Sequence, residues 1–203
     1  MRDPRGRLWP AVALAALLTA PGCTPDSPPT VDSPVTITES SLSGEVSVVA
    51  ETSLTPGEVS ISYTVTNDSP HPVWVVDSAR PSIIGDALTP DGVVAALVFF
   101  PVRGDVSYAQ PPYEPVVRVA PRQSITGSVH AERPFVPFSD TDGDRAVALP
   151  DAPASIRLCI GHIAATELPP SQPGTLPDGR PKLDRDLAFP RQRLSCSTAL
   201  PLA

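Results

Sequence analysis

Proline limits what this chain can fold into more than any other residue. Of the 203 residues, 28 are Pro and 12 are Gly, and the prolines recur along most of the sequence. Proline has no backbone N–H and breaks the interior of a helix, so long helices are excluded and short strands joined by turns are favoured. The pattern predicts an all-β protein, and the length suits one domain.

The charge balance and the missing motifs disfavour two classes of function. Lys and Arg number 15 against 22 Asp and Glu, which gives a formal net charge of −7. A protein that binds nucleic acid needs a cationic surface, so we expect no nucleic acid partner. The sequence has no Gly-x-Ser-x-Gly, His-Glu-x-x-His or Gly-rich phosphate-binding motif. We therefore expect neither an enzyme nor a cofactor.

Residues 1–22 are typical of an export signal. Arg2, Arg5 and Arg7 make a basic start, and the apolar stretch 8–18 that follows is shorter than the roughly 20 residues of a membrane-spanning helix. Small residues at 20–22 lead directly into Cys23, and this segment resembles the lipobox of bacterial lipoprotein precursors. The resemblance implies that Cys23 carries fatty acyl chains such as palmitate and anchors the exported protein to the cell membrane. Ordinary secretion is the alternative.

The residues after Cys23 predict a tether followed by one domain. Residues 23–34 are rich in Pro, Ser, Thr and Asp and have little to bury. Such a segment extends by about 3.1 Å per residue in the polyproline II conformation. Residues 35–203 are then expected to form a single β-sandwich domain.

Two cysteines remain once Cys23 is set aside. Cys159 and Cys196 form an even set in an exported chain, and we expect a disulfide between them. Their bond would close a loop of about 38 residues, which the chain-entropy model values at about 4 kcal/mol. The alternative is a pair of buried thiols.

Period-two patterns predict about eight short strands. In the clearest, residues 59–66, apolar side chains alternate with Ser and Thr. Turns at 55–58 and 67–72 predict three sequential antiparallel strands at 46–51, 59–66 and 73–76. The other candidates are 92–100, 116–120, 124–131, 155–164 and 194–200.

One segment carries a resemblance to a fold family. Residues 59–76, a strand ending in Asn67, then a polar turn and Pro72-Val73-Trp74-Val75, look like the start of the immunoglobulin-like or fibronectin-like sandwiches of exported bacterial proteins. The resemblance implies an antiparallel immunoglobulin-like β-sandwich with long Pro-rich loops, and it implies nothing about activity. Trp74 is expected to fill the core, and an exposed binding face is the alternative.

Two long Pro-rich connections are the candidate interaction segments. Residues 104–115 carry Tyr108 and Tyr113, whose rigid rings suit contact with another protein. Residues 167–190 lie inside the predicted disulfide loop. Loops longer than about 15 residues are usually functional or disordered. We expect these segments to be crossovers that only pack against the sheet, and the interaction role is the alternative.

Acidic and histidine residues are the candidate metal ligands of this sequence. Asp140, Asp142 and Asp144 occupy alternate positions, as in an EF-hand calcium loop, but Arg145 stands where that loop needs Gly. A solvated acidic turn is favoured, with calcium as the alternative. Cys159 and His162 are three residues apart on a predicted strand and face opposite ways, which disfavours a shared metal. We expect the two other histidines, His71 and His130, to be exposed and without a role.

These observations together predict a membrane-tethered, extracytoplasmic lipoprotein. We expect it to act as a binding or scaffolding module for an envelope protein. The first alternative is an inhibitor-like or small-ligand-binding sandwich that presents residues 104–115. The second is an enzyme whose catalytic groups meet only on folding.

Overall fold

The structure is a computed structural model that describes residues 37, 42–102, 107, 109–110, 112–138 and 149–203. These residues form short strands, two 3₁₀ turns and the four-residue helix α1 (Arg185–Ala188). The strands are β1 (Val46–Thr55), β2 (Glu58–Asn67), β3 (Val73–Val76), β4 (Ser82–Gly85), β5 (Gly92–Leu97), β6 (Tyr113–Val119), β7 (Ser124–Glu132), β8 (Ser155–Ala164), β9 (Gly174–Thr175), β10 (Pro181–Asp184), β11 (Arg193–Cys196) and β12 (Leu200–Pro201). The all-β prediction is confirmed. The predicted number of strands is too low, because β4, β9 and β10 are too short to show a pattern.

The strands form two sheets that pack face to face. The smaller sheet has the order β1–β2–β7 and is antiparallel throughout. The larger has the order β4–β5–β8–β3–β6–β10–β9, with β11 and β12 also paired to β8. Apolar side chains from both sheets share one core, in which Ile61 of β2 and Leu158 of β8 are fully buried. Burial of such side chains is the main favourable term in folding.

The predicted alternation of β2 is confirmed. Val59, Ile61, Tyr63 and Val65 lie in the core, while the Ser and Thr residues between them are half-buried or exposed on the outer face. The smaller sheet thus has one apolar face and one hydroxyl-rich face, as expected for a strand pattern of period two.

Strand β8 lies at the centre of the larger sheet. Ile160 pairs with Leu97 on one side and Ser195 on the other, so β5 and β11 flank it. β5 runs parallel to β8, because the chain crosses through β6 and β7 before it reaches β8. The prediction of a purely antiparallel sandwich is wrong at this pair. Every residue of β5 is buried, since a second apolar cluster around Phe100 and Phe138 covers its other face.

The turn after β2 corrects a second prediction. β3 does not pair with β2 but lies between β6 and β8 in the other sheet. Asn67, which is fully buried, explains the crossing. Its Nδ2 donates to the carbonyls of His71 at 2.8 Å and Val119 at 3.1 Å, and its Oδ1 accepts from the backbone N–H of Ser69 at 3.0 Å. These bonds direct the chain from one sheet to the other.

The segment 167–190 is part of the sheet rather than a loop. β10 pairs with β6 on one side and β9 on the other, so the segment extends the larger sheet. Arg185 of α1 fixes it from the side, with its Nε donating to Glu114 Oε1 at 2.8 Å. The expectation that this segment packs against the sheet is confirmed, and two short strands in it also pair with the sheet edge.

A disulfide joins β8 to β11. Cys159 and Cys196 are directly opposite in the register of the two strands and are bonded, as the sequence predicts. The segment just before β1 also contacts β11, because Leu42 forms an isolated bridge with Leu194. The N–H of Ser43 donates to the carbonyl of Leu194 at 2.7 Å. β11 is thus held both to β8 and to the segment that enters the smaller sheet.

A buried ion pair fixes the turn between β4 and β5. Arg157 of β8 donates from Nε to Asp86 Oδ2 at 3.2 Å and from Nη1 to the carbonyl of Ser197 at 2.8 Å. The Asp86 side chain is 1% exposed, and its other oxygen accepts from the N–H of Leu88 at 2.9 Å. Because the pair is buried, removing either partner would leave the other as an uncompensated buried charge.

Candidate functional site

A groove lies where the ends of β2 and β7 approach the segment that leads into β4. Its volume is about 550 Å³, within the range of ligand-binding clefts. Ala79–Pro81 and Ile83 form one wall, and the ends of β2 and β7 form the other. The groove combines charged lining residues, Glu58, Arg80 and Glu132, with Val136, whose side chain is 74% exposed.

The register of β2 and β7 brings three polar side chains together, two of which, Glu58 and His130, line the groove. Ser60 and His130 are paired across the strands, and Ser60 Oγ lies 3.0 Å from His130 Nδ1. Glu58 Oε1 is 3.3 Å from the same nitrogen, and the Ser60 hydroxyl donates to that oxygen at 3.2 Å. Glu132 is directly opposite Glu58 in the ladder. The groove wall therefore carries two carboxylates beside one imidazole.

This cluster is arranged for binding rather than for proton relay. In a Ser-His-Asp triad the hydroxyl and the carboxylate occupy different nitrogens of the imidazole. Here Ser60 and Glu58 both approach Nδ1 of His130. The side chains of His130 and Glu58 are 56% and 44% exposed, so their unused donors and acceptors are open to a ligand.

Several of the predicted site residues lie outside the described residues. These are Cys23, Tyr108 and the candidate calcium ligands Asp140, Asp142 and Asp144. Lipidation, the contact role of Tyr108 and the calcium alternative therefore stay predictions. In the part of the chain that the structure does describe, no three side chains of the metal-binding types converge.

Tyr113 is half-buried at the start of β6, and its ring already has a partner. The Nζ of Lys182 on β10 lies 4.3 Å from the ring centroid. A cation at this distance interacts favourably with the ring face. The segment 167–190 thus covers one face of the tyrosine that the sequence placed at an interaction surface.

His162 occupies a position unlike that of the two exposed histidines. It is fully buried on β8, and its Nε2 lies 3.2 Å from Ser195 Oγ. The Ser195 hydroxyl donates to the carbonyl of Ser43 at 3.2 Å, so it accepts from Nε2–H. Nδ1 has no hydrogen-bond partner within the described chain. The pKa of His162 is lowered to about 4. Burial is the main cause, the Arg193 guanidinium also lowers the pKa, and the Glu167 carboxylate raises it.

The buried histidine should make folding sensitive to acid. Neutral His162 is favoured in the native state, so its contribution to stability is complete above pH 6.5 and is lost as the pH falls toward 4. A pKa about 2.5 below its ordinary value corresponds to about 3 kcal/mol. Urea unfolding of His162→Gln between pH 7 and 4 should show a shallower loss of stability than the parent chain. His71→Gln, in an exposed turn, is the matched comparison, and equal slopes for the two variants would contradict this assignment.

Sequence reasoning missed most of the groove. His130 was expected to be exposed, which is confirmed, but its contacts with Glu58 and Ser60 depend on the pairing of β2 with β7. A signal was present in polar positions 60 and 130, which lie on two predicted strands, and in Glu58 and Glu132 just outside the predicted bounds. No local pattern placed Arg80 or Val136 beside them.

Comparison with known proteins finds no relative of this chain. No family model, no curated protein and no solved structure matches the chain. Among the residues that the structure describes, no helix has the length and apolar character needed to cross a membrane.

Proposed function

We propose that this protein is an exported, lipid-anchored β-sandwich that acts as a binding module for another protein of the cell envelope. The anchor is Cys23, and residues 23–34 are the tether that holds residues 35–203 away from the membrane. The observation that carries the binding role is the groove, where the exposed Val136 lies beside Glu58, Arg80 and Glu132.

Two features support the extracytoplasmic location. The sequence before Cys23 has the basic start and apolar stretch of an export signal. The bond between Cys159 and Cys196 suits an oxidising compartment, because disulfides are rare where thiols are kept reduced. Because the composition is acidic, membrane attachment would depend on the acyl chains rather than on a basic surface.

The strand order supports the immunoglobulin-like interpretation. In such a fold strands A, B and E are neighbours in one sheet, and C, F and G are neighbours in the sheet packed on it. Here β1–β2–β7 packs on a sheet in which β3, β8 and β11 are neighbours. Two features differ from the antibody pattern: β5 runs parallel to β8, and the disulfide joins strands of one sheet. Folds of this kind serve many functions, so the binding role depends on the groove.

The groove suits an extended segment of a protein partner. An exposed apolar side chain flanked by charges of both signs can supply a buried anchor and a polar rim. Val136 would be the anchor, and Arg80 and Glu132 would form the rim. The partner segment is then expected to carry an apolar side chain next to charged or polar ones.

In-cell crosslinking followed by mass spectrometry of the tagged full chain tests this function. A membrane partner should be recovered with the parent chain, and its recovery should fall roughly tenfold with Val136→Asp, as for a side chain at an interface hot spot. Val49→Asp is the matched control, because Val49 is also exposed, at 67%, but lies on the outer face of β1. Cys23→Ala should also reduce recovery. Equal recovery with both valine variants, or no enriched protein, would rule the proposal out.

A small ligand is the second candidate, and the groove volume of about 550 Å³ favours it. In this case the protein should bind solutes without a membrane. A thermal-shift screen of small zwitterions and organic acids should then raise the melting temperature, and Arg80→Ala should remove the shift.

A further inference from the structure

In the described part of the chain, strand β7 is an edge of the smaller sheet. It runs for nine residues, and in the described part of the chain its only strand partner is β2. The opposite edge strand of the smaller sheet, β1, packs beside β8, β11 and β12. Within the described residues, β7 is therefore a long edge strand with no strand on its outer side, and its end at His130–Glu132 borders the groove.

The hydrogen bonds at its two ends show which residues face the edge. The carbonyl of Gln123 accepts from Asn67 N–H at 3.0 Å, and Arg133 N–H donates to the carbonyl of Gly57 at 2.7 Å. Backbone groups alternate in direction along a strand, so the odd-numbered residues point toward β2. The N–H and C=O groups left at the edge belong to Ser124, Thr126, Ser128, His130 and Glu132.

The edge also lacks the usual protection against pairing. Exposed edges are normally blocked by Pro, Lys, bulges or very short strands. Residues 124–132 contain no Pro and no Lys, and their register with β2 is continuous. The edge strands of the larger sheet are short by comparison, with four residues in β4 and two in β9. β7 is thus a ready template for another strand.

We propose that β7 pairs antiparallel with β7 of a second copy of this chain, joining the two smaller sheets into one. The pairing is centred on Ser128, so that a two-fold axis passes between the two Ser128 residues. This inference concerns the edge of the sheet and does not depend on the proposed function of the groove.

The sequence of β7 is complementary to itself in this register. On the outer face Ser124 would lie opposite the second copy's Glu132, and Thr126 opposite the second copy's His130, so no like charges meet. On the inner face Ile125 would lie opposite the second copy's Ala131. Ile125 is only partly buried at the margin of the core, and this pairing would cover it. The N–H and C=O groups of all five edge residues would form hydrogen bonds with the backbone of the second copy.

A single cysteine at the centre tests the register in cells. In Ser128→Cys the two introduced cysteines would have Cα atoms about 5.5 Å apart, within reach of a disulfide. The matched control is Ser62→Cys, which lies in the same row and on the same face of β2. Its two copies would be about 14 Å apart, three strand spacings, and cannot bond. We expect a covalent dimer of the full chain with Ser128→Cys and none with Ser62→Cys.

Charge reversal at the same position gives a second test that does not depend on oxidation. Two differently tagged copies of the full chain are expressed together and purified through one tag. Ser128→Lys in both copies places like charges face to face, and co-purification should fall at least about tenfold. One Ser128→Lys copy with one Ser128→Glu copy should restore it. Ser128 is exposed and its backbone groups point away from β2, so each variant should keep the fold of the parent chain.

Three results would overturn the pairing. Equal crosslinking of Ser128→Cys and Ser62→Cys would indicate chance collision. A Ser128→Cys disulfide to a different protein would indicate that another strand occupies the edge. Undiminished co-purification of two Ser128→Lys copies would exclude a two-fold contact at Ser128. Val136→Asp should leave the Ser128→Cys dimer intact, which separates this inference from the role of the groove.

Discussion

Replacing Arg157 with methionine is expected to lower the free energy of unfolding by about 3 to 5 kcal/mol, the range for removing one partner of a buried ion pair. The substitution leaves the Asp86 carboxylate, 1% exposed, with the N–H of Leu88 as its remaining donor within the described chain. It also removes the bond to the carbonyl of Ser197. Urea unfolding at pH 7 measures the loss directly.

The chain provides a matched control for this experiment. Arg180 and Asp178 also form an Arg–Asp pair, with N···O 2.8 Å, but their side chains are 54% and 51% exposed. Exposed pairs contribute little, so Arg180→Met should leave the unfolding midpoint unchanged. Adding Asp86→Asn to Arg157→Met removes the isolated charge and should recover part of the loss. If Arg157→Met is no more harmful than Arg180→Met, the buried pair does not stabilise the fold.

Loss of the disulfide should have an effect of similar size. The bond joins residues 37 apart in sequence, and the chain-entropy model gives such a crosslink about 4 kcal/mol. Because the two strands are already in register, the bond acts mainly by restricting the unfolded chain. Reduction should lower the melting temperature by about 10 °C in a domain of this size.

Single and double variants separate the crosslink from the packing of the side chains. Cys159 is fully buried and Cys196 partly so. Cys159→Ala/Cys196→Ala should melt near the reduced parent chain and should not respond to reductant. Cys196→Ser should be at least as unstable. A parent chain whose melting temperature is insensitive to reductant would contradict the bond.

Local patterns predicted the faces of the strands but not their neighbours. Alternation along 59–66 assigns Ile61 and Tyr63 to the core, because side-chain direction depends only on strand geometry. The destination of β3 depends on Asn67, whose side chain bonds to Val119, 52 residues away. β5 shows the same limit: its apolar run predicted a strand, but not the parallel pairing with β8.

The site was less predictable than the fold. The disulfide followed from cysteine counting, since two candidates left one possible pair. The groove has no such signature, because Glu58, Arg80, His130 and Val136 come from separate segments that the sheet packing brings together. Hydrogen bonding within the cluster depends on one register of β2 and β7, and a shift by one residue would turn these side chains to the core face.

The contacts around β11 also define how the molecule would carry a mechanical load. A pull on the chain before Leu42 meets the burial of Ile37, the bond from Ser43 to Leu194 and the bridge between Leu42 and Leu194. From β11 the force passes through the bond between Cys196 and Cys159 into β8, the central strand of the larger sheet. Tension applied at the N-terminal end would therefore pass through hydrogen bonds to β11 and then through the disulfide to the middle of the larger sheet, and the three-stranded sheet would carry only part of it.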